Sequence, residues 1–123
     1  FIDDLLIMFA SSDPTDLMSD ICQSCAIIYN VFREHGLHVN FKPGKSEVVP
    51  TFVGPGAVEA RTKYVIDEAT LPIDSCDGIM QLRLVSTYTY LGSVFHARGF
   101  LNPEIRKRSL AMKIAMTELR GKL

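Results

Sequence analysis

The pattern of apolar and polar positions predicts two long helices with short strands between them. Residues 5–9 are all apolar, which is typical of a strand that neighbouring elements cover on both faces. The first helix follows: Asp13 is a candidate N-cap, Pro14 suits the first helical position, and Gly36 supplies a stop. Apolar residues recur between them at helical spacing, at Leu17, Ile21, Cys25, Ile28 and Phe32. They predict an amphipathic helix whose apolar side packs on a core.

The next segment predicts a β-hairpin. Residues 37–41 alternate with period two, and a Pro-Gly turn joins them to a strand-like run at residues 47–53. The first strand of this hairpin is expected to bury Leu37, Val39 and Phe41.

A polar connection and a second strand pair are predicted after the hairpin. The connection runs from residue 54 to about residue 77 and contains a candidate strand at residues 64–66. Residues 81–85 and 88–95 are rich in aromatic and β-branched side chains and are expected to pair with each other.

The last element is a helix that runs to about residue 122. Asn102 is its candidate N-cap, and Pro103 occupies the first helical position. Arg106, Lys113 and Arg120 recur every seven residues and form a basic edge. Beside that edge lies a face expected to pack on a core, made of Ile105, Ser109, Met112, Met116 and Leu119.

Composition narrows the class of protein. The chain has 123 residues, of which 47% are hydrophobic and 22% charged, as in a soluble globular protein of at most one domain. Neither a membrane-spanning run nor a signal peptide is recognisable, so we expect an intracellular setting, in the cytoplasm or the nucleus. Cys22, Cys25 and Cys76 are odd in number, which favours reduced thiols over a disulfide framework. Because the chain begins on Phe1, within what reads as a turn entering a strand, we expect a fragment.

The net charge of −1 conceals a gradient along the chain. Five aspartates precede the first basic residue, Arg33, whereas six basic residues lie in the last helix. A basic helix edge is suited to sequence-independent, salt-sensitive contacts with phosphates. The alternative, an ordinary solvated helix face, stays open.

Asp3 and Asp4 are the candidate metal ligands. Two adjacent carboxylates on a turn offer the oxygen ligands that hard divalent cations bind. The run of apolar residues that follows them places this double charge at the edge of a hydrophobic core, where it is costly without cations. The simpler alternative is a solvated turn.

The order of short motifs resembles that of the reverse transcriptases of non-LTR (LINE-type) retrotransposons. The resemblance covers nearly the whole chain except for about residues 54–80. In order, the motifs are the aromatic-x-Asp-Asp sequence Phe1-Ile2-Asp3-Asp4, the capped helix, Gly36-Leu37-His38-Val39-Asn40 leading to Lys45-Ser46-Glu47, Tyr90-Leu91-Gly92-Ser93-Val94-Phe95, and Glu104-Ile105-Arg106-Lys107-Arg108.

The resemblance implies roles for particular residues. It implies that Asp3 and Asp4 bind Mg²⁺ (or Mn²⁺), with Asp3 the expected direct ligand, for two-metal nucleotidyl transfer. It also implies that Lys45 lies near the phosphates of the incoming nucleotide. Lys42 is a rival for that role, because extra residues separate Asn40 from Lys45, and Lys45 is equally compatible with a surface turn.

Two regions of a polymerase are implied. Tyr90, Leu91 and Gly92 would lie in the hairpin that grips the primer end. Arg106, Lys113 and Arg120 would line a thumb-like helix along the template-primer duplex.

We therefore expect an α+β chain. Residues 1–96 would be a carboxyl-proximal palm fragment, with a helix on a small antiparallel sheet followed by a strand pair, and residues 97–123 the start of a thumb. The expected function is that of an RNA-directed DNA polymerase acting on an RNA template, a DNA primer and deoxynucleotides. The upstream catalytic carboxylate and the fingers are missing, so we expect no activity from the fragment alone. The alternatives are a non-enzymatic retroelement relic that at most binds nucleic acid weakly, and an unrelated α+β interaction domain.

Overall fold

The architecture is α+β, as predicted. The computed structural model describes residues 5–98 and 102–122. Its elements, in chain order, are α1 (Pro14–Glu34), β1 (Glu47–Val48), α2 (Ala57–Arg61), a π-helix (Thr62–Glu68), β2 (Thr70–Ser75), β3 (Gly78–Leu84), β4 (Thr87–Tyr90), β5 (Ser93–His96) and α3 (Asn102–Arg120).

Helix α1 begins and ends where the sequence predicts. The Asp13 carboxylate accepts hydrogen bonds from the backbone N–H groups of Thr15 at 2.8 Å and Asp16 at 3.1 Å, and Pro14 is the first helical residue. The chain leaves the helix through Gly36, whose φ of 74° lies in the left-handed region that glycine adopts without steric cost. The N-cap and the glycine stop are thus confirmed.

The main core lies between α1 and a three-stranded sheet of order β1-β3-β2. Strand β3 is central, antiparallel to β2 and parallel to β1. Along β2, buried residues alternate with more exposed ones, so that one face of the strand is covered. The buried apolar cluster comprises Met18, Ile21, Phe52, Ala60, Tyr64, Leu71, Ile73, Leu82 and Leu84.

Strands β4 and β5 form a separate antiparallel hairpin. Its two-residue turn, Leu91 and Gly92, has φ values of 50° and 83°. Positive φ at both central positions is the mark of a type I′ turn, whose twist matches that of the flanking strands. The turn therefore sets the register that pairs Tyr90 with Ser93.

The predicted strand at residues 5–9 is wrong. These residues have no regular secondary structure, and the side chains of Leu5 and Met8 are 61% and 88% exposed. A strand needs a partner for its backbone hydrogen bonds, and none of the described strands pairs with this segment.

The predicted first hairpin is also wrong, although its turn is confirmed. The Lys45 N–H donates to the Lys42 carbonyl at 3.0 Å, which closes the turn. Residues 37–41, however, form no strand, and Leu37 is exposed while Phe41 packs against the ring of Tyr29. Only the two residues of β1 pair, and they pair with β3, where Val48 gains contact with the core. Burial beside the central strand therefore outweighs pairing with the adjacent segment.

Two further strand assignments need correction. Tyr64, in the candidate strand at residues 64–66, lies in the π-helix, where its buried ring stacks on Phe52 at 6.1 Å between centroids. Residues 81–85 fall largely in β3 and pair with β2, while residues 88–95 fold back on themselves as β4 and β5. Strand β2 was not predicted, because Pro72 and polar residues mask its period-two pattern; as a sheet edge it can accommodate proline.

Helix α3 is present, but its predicted core face is wrong. The helix packs against β5, yet every residue that the structure describes from 110 to 122 is exposed. The capping roles predicted for Asn102 and Pro103 lie outside the described side chains. None of the described helices is long and apolar enough to cross a membrane. The three cysteines are free thiols, as predicted.

Candidate nucleic-acid interface

The predicted metal ligands, Asp3 and Asp4, lie outside the described residues. Among residues 5–98 and 102–122, no group of three or more His, Cys, Asp or Glu side chains is placed to hold a metal ion. The other predicted site residues lie on the Lys45 turn, the β4–β5 hairpin and α3.

The Lys45 turn is joined to the β4–β5 hairpin. The Tyr88 hydroxyl donates a hydrogen bond to the carbonyl oxygen of Lys45, across 43 residues of sequence. The Lys45 side chain itself is exposed. Lys42 is exposed in the same turn, so the structure leaves both lysines available and favours neither.

The same hairpin is held by the first turns of α3. The Glu104 carboxylate accepts a hydrogen bond from the Val94 N–H at 2.5 Å, and the Lys107 ammonium donates to the Gly92 carbonyl at 2.5 Å. Arg108 donates to the other oxygen of Glu104. The Val94 N–H, followed by Arg108, lowers the pKa of Glu104, because both stabilise the ionised carboxylate. Two charged side chains of α3 thus fix the turn that carries Tyr90, Leu91 and Gly92.

A shallow cleft lies where the Lys45 turn meets the hairpin. Its volume is about 240 Å³, which is below the roughly 300–1,000 Å³ of pockets that enclose a small molecule. It is lined by Gly44, Glu47, Thr87, Tyr88, Thr89 and Val94. The cleft is therefore a junction between two segments of the interface and too small to enclose a nucleotide.

Glu47 is one of the residues that line this junction. Its side chain is 5% exposed, and one carboxylate oxygen lies 3.1 Å from a guanidinium nitrogen of Arg83 on the paired strand. The approach gives an ion pair without the geometry of a hydrogen bond. A buried carboxylate beside a guanidinium is costly to separate, so this pair fixes β1 against β3.

The three predicted cations of α3 are accessible. Arg106, Lys113 and Arg120 are all exposed. Seven residues of α-helix rise by roughly 10 Å, so these cations are spread over roughly 20 Å of one helix edge. The exposed edge is compatible with contacts to several phosphates in a row.

Sequence reasoning missed three residues that assemble this interface. None of these contacts of Tyr88, Glu104 and Lys107 was predicted from the sequence. Their partners are backbone atoms of other segments, and backbone partners leave no signature in the side-chain pattern.

A second cluster of polar groups ties α1 to the β2–β3 turn. The Asp77 carboxylate accepts hydrogen bonds from the Tyr29 hydroxyl at 2.7 Å and from the Arg33 guanidinium at 3.0 Å. The bond from Tyr29, then that from Arg33, lowers the pKa of Asp77, and the same bond to Asp77 is the main cause that raises the pKa of Tyr29. Asn30 accepts from the Cys76 N–H at 2.9 Å. This cluster is a structural tie, since its hydrogen bonds join α1 to the β2–β3 turn.

In comparisons with known proteins, no protein family, curated protein or solved structure matches this chain.

Proposed function

We propose that this chain is part of the palm, and the start of the thumb, of a reverse transcriptase that extends a DNA primer on an RNA template. Within that enzyme the β4–β5 turn and the basic edge of α3 contact the template-primer duplex, and Asp3 and Asp4 contribute to the metal site. The observation that carries the proposal is the contact between segments that resemble separate motifs of that family.

Three of those motifs meet in the structure, and the Lys45 segment does so across 43 residues of sequence. The Lys45 segment meets the hairpin through the Tyr88 hydroxyl. The hairpin meets α3 through Glu104 and Lys107. These hydrogen bonds join the three segments to which the resemblance assigns contacts with nucleotide, primer and duplex, which supports a common functional surface.

The donor set at the start of the chain fits a hard divalent cation. Asp3 and Asp4 supply carboxylate oxygens, which Mg²⁺ and Mn²⁺ prefer as ligands. When bound, the metals of such a site supply activation of the primer hydroxyl and neutralisation of the leaving pyrophosphate. The chain's own contribution is to present two adjacent carboxylates to them.

Metal binding is the first test. Titration of the 123-residue chain with Mn²⁺, followed by water-proton relaxation, is expected to show a site that is about tenfold or more weaker after Asp3→Asn with Asp4→Asn. The matched control replaces two exposed aspartates elsewhere, Asp20→Asn with Asp74→Asn, and is expected to keep the site. Equal Mn²⁺ affinity in both double variants would remove Asp3 and Asp4 from the proposal.

Nucleic-acid binding is the second test. A labelled RNA–DNA hybrid duplex is titrated with the chain at several salt concentrations and followed by fluorescence anisotropy. Replacing Arg106, Lys113 and Arg120 by Gln is expected to weaken binding and to reduce the slope of log K against log salt by about 2 to 3, because up to three phosphate contacts are lost.

The control for this test replaces three other cations by Gln. Lys42, Arg61 and Lys63 lie outside α3. If Lys42, the rival of Lys45, also contacts the duplex, its share is separated by Lys42→Gln alone. Binding that is insensitive to salt, or that falls equally in the two triple variants, would contradict the role of α3.

A further inference from the structure

A seam of four apolar side chains and one serine lies along α3, and its apolar members are open to solvent. Ile105 is 59% exposed, Met112 61% and Leu119 61%. Met116 is 53% exposed, and the small polar Ser109 is half-buried between them. These five residues were expected to face a core, and the four apolar ones are instead more than half exposed.

The spacing of the seam is that of a coiled coil. Successive members are separated by four, three, four and three residues, which is the alternation of a and d positions in a heptad repeat. Such a seam is narrower than the apolar face of a helix that packs on a globular core. The spacing of these five positions fits a single partner helix, while the exposed Leu110 and Ile114 lie outside them.

The flanking charges select the chemistry of that helix. With Ser109 and Met116 at a positions, Arg106, Lys113 and Arg120 all occupy e positions. The g positions hold Arg108, which is ion-paired with Glu104, then Ala115 and Lys122. The e and g positions face those of the partner and decide which helices pair. Basic residues at both flanks favour a partner with carboxylates there.

The same charges disfavour a second copy of this chain. A parallel pair would bring the e cations of one copy beside the g positions of the other, which carry Arg108 and Lys122. An antiparallel pair would bring e positions beside e positions, so that lysines and arginines again face each other. Like charges at these positions oppose association in either orientation.

We propose that the Ile105–Ser109–Met112–Met116–Leu119 seam of α3 docks one amphipathic helix that carries acidic residues on both sides of its apolar stripe. The inference stands independently of the polymerase proposal, since it rests on the apolar seam and on the charges beside it. The basic edge of α3 would then contact a protein partner as well as the phosphates of the duplex.

The experiment uses the full chain and two designed helical peptides of about three heptads. Both peptides have Leu at a and d; one has Glu at every e and g position, and the other has Lys there. Fluorescence anisotropy is expected to show the acidic peptide binding at least about tenfold more tightly than the basic one. No difference between the peptides, or no binding of either, would overturn the proposal.

Paired variants of equal exposure locate the binding surface. Met112→Gln with Met116→Gln removes the centre of the seam, at residues 61% and 53% exposed. Leu110→Gln with Ile114→Gln changes residues 60% and 52% exposed that lie off the seam, at b and f positions. The seam variant is expected to lose at least about tenfold in affinity for the acidic peptide, and the control less than about twofold.

Gln is a good helix former and carries no charge, so neither double variant changes the charge of α3. Circular dichroism checks that helix content is retained in both. Equal loss of affinity in the two variants would overturn the proposal. The proposal would also be overturned if sedimentation velocity showed that the unaltered chain is a dimer and the seam variant a monomer. That result would assign the seam to a second copy of this chain. Loss of RNA–DNA binding in the seam variant, without loss of peptide binding, would assign it to nucleic acid.

Discussion

At the scale of single residues, Asp77 shows how one carboxylate organises an element boundary. It lies in the tight turn between β2 and β3 and binds Tyr29 and Arg33 of α1. Neither partner is near it in sequence, and a turn aspartate is common for local reasons alone. The tertiary contacts turn an ordinary turn residue into the link between α1 and the sheet.

The stabilisation from Asp77 is expected to depend on pH. The folded-state pKa lies below the ordinary value of 3.8, so the contribution is complete above that value and is lost as pH falls through the lowered folded pKa. Urea unfolding between about pH 5 and pH 2 is expected to show a shallower loss of stability in Asp77→Asn than in the unaltered chain.

The control for Asp77 is Asp74→Asn, at an exposed position of the neighbouring strand. It removes one carboxylate but leaves the Tyr29 and Arg33 contacts of Asp77 in place, so its pH profile is the reference for Asp77→Asn. Identical pH profiles for the unaltered chain and the Asp77→Asn chain would mean that the Tyr29 and Arg33 contacts contribute nothing to folding.

At the scale of elements, the β4–β5 hairpin depends on α3 for its position. A two-stranded hairpin alone is marginally stable in water, so contacts outside it matter. Glu104 and Lys107 supply these contacts to Val94 and Gly92. The predicted nucleic-acid-binding turn and the predicted basic helix are consequently one unit.

Removing the charge of Glu104 is expected to loosen the hairpin. In Glu104→Gln the charge-assisted bond to the Val94 N–H is weakened, so the hydrogen exchange of that amide is expected to accelerate about threefold to tenfold. Glu118→Gln, an exposed change in the same helix, is the control and is expected to leave the Val94 amide unaffected. Equal exchange rates of the Val94 amide in both variants would argue against stabilisation of the hairpin by Glu104.

At the scale of the whole molecule, stability is concentrated in the contact between α1 and the three-stranded sheet. Ile73 on β2 is fully buried there, with an exposed fraction of 0%. The hairpin and α3 contribute little apolar burial to this cluster, since none of its members belongs to them. The core and the proposed interface are therefore carried by different parts of the chain.

Core truncation is expected to reveal this division. Ile73→Ala is expected to lower the free energy of unfolding by about 2–5 kcal/mol, the usual cost of emptying a buried site. Ile79→Ala on the neighbouring strand, 68% exposed, is expected to change it by less than about 0.5 kcal/mol. Urea titration measures both free energies of unfolding. Equal losses in the two variants would mean that Ile73 is not part of the main core.

Local features of the sequence were enough to predict the two long helices, α1 and α3, and the Pro43–Gly44 turn, whereas α2 and the π-helix were not predicted. The Asp13 cap, the Pro14 start and the Gly36 stop act within a few residues, so α1 was predicted with its bounds. The candidate cations of α3 followed from helical spacing in the same way. The assignment of Asp3 and Asp4 stays a prediction from sequence, because they lie outside the described residues.

Only the tertiary structure decided which strands pair and which apolar faces are covered. Residues 5–9 and 37–41 have strand-like patterns without a strand partner, whereas β2 pairs in spite of its proline. Periodicity reports which side chains would share a face; it does not report whether another element lies against that face. Strand pairing and burial depend on partners in other elements of the fold. For this reason only the folded chain shows the contacts of Glu104 and Lys107 with the hairpin and the exposure of the α3 seam.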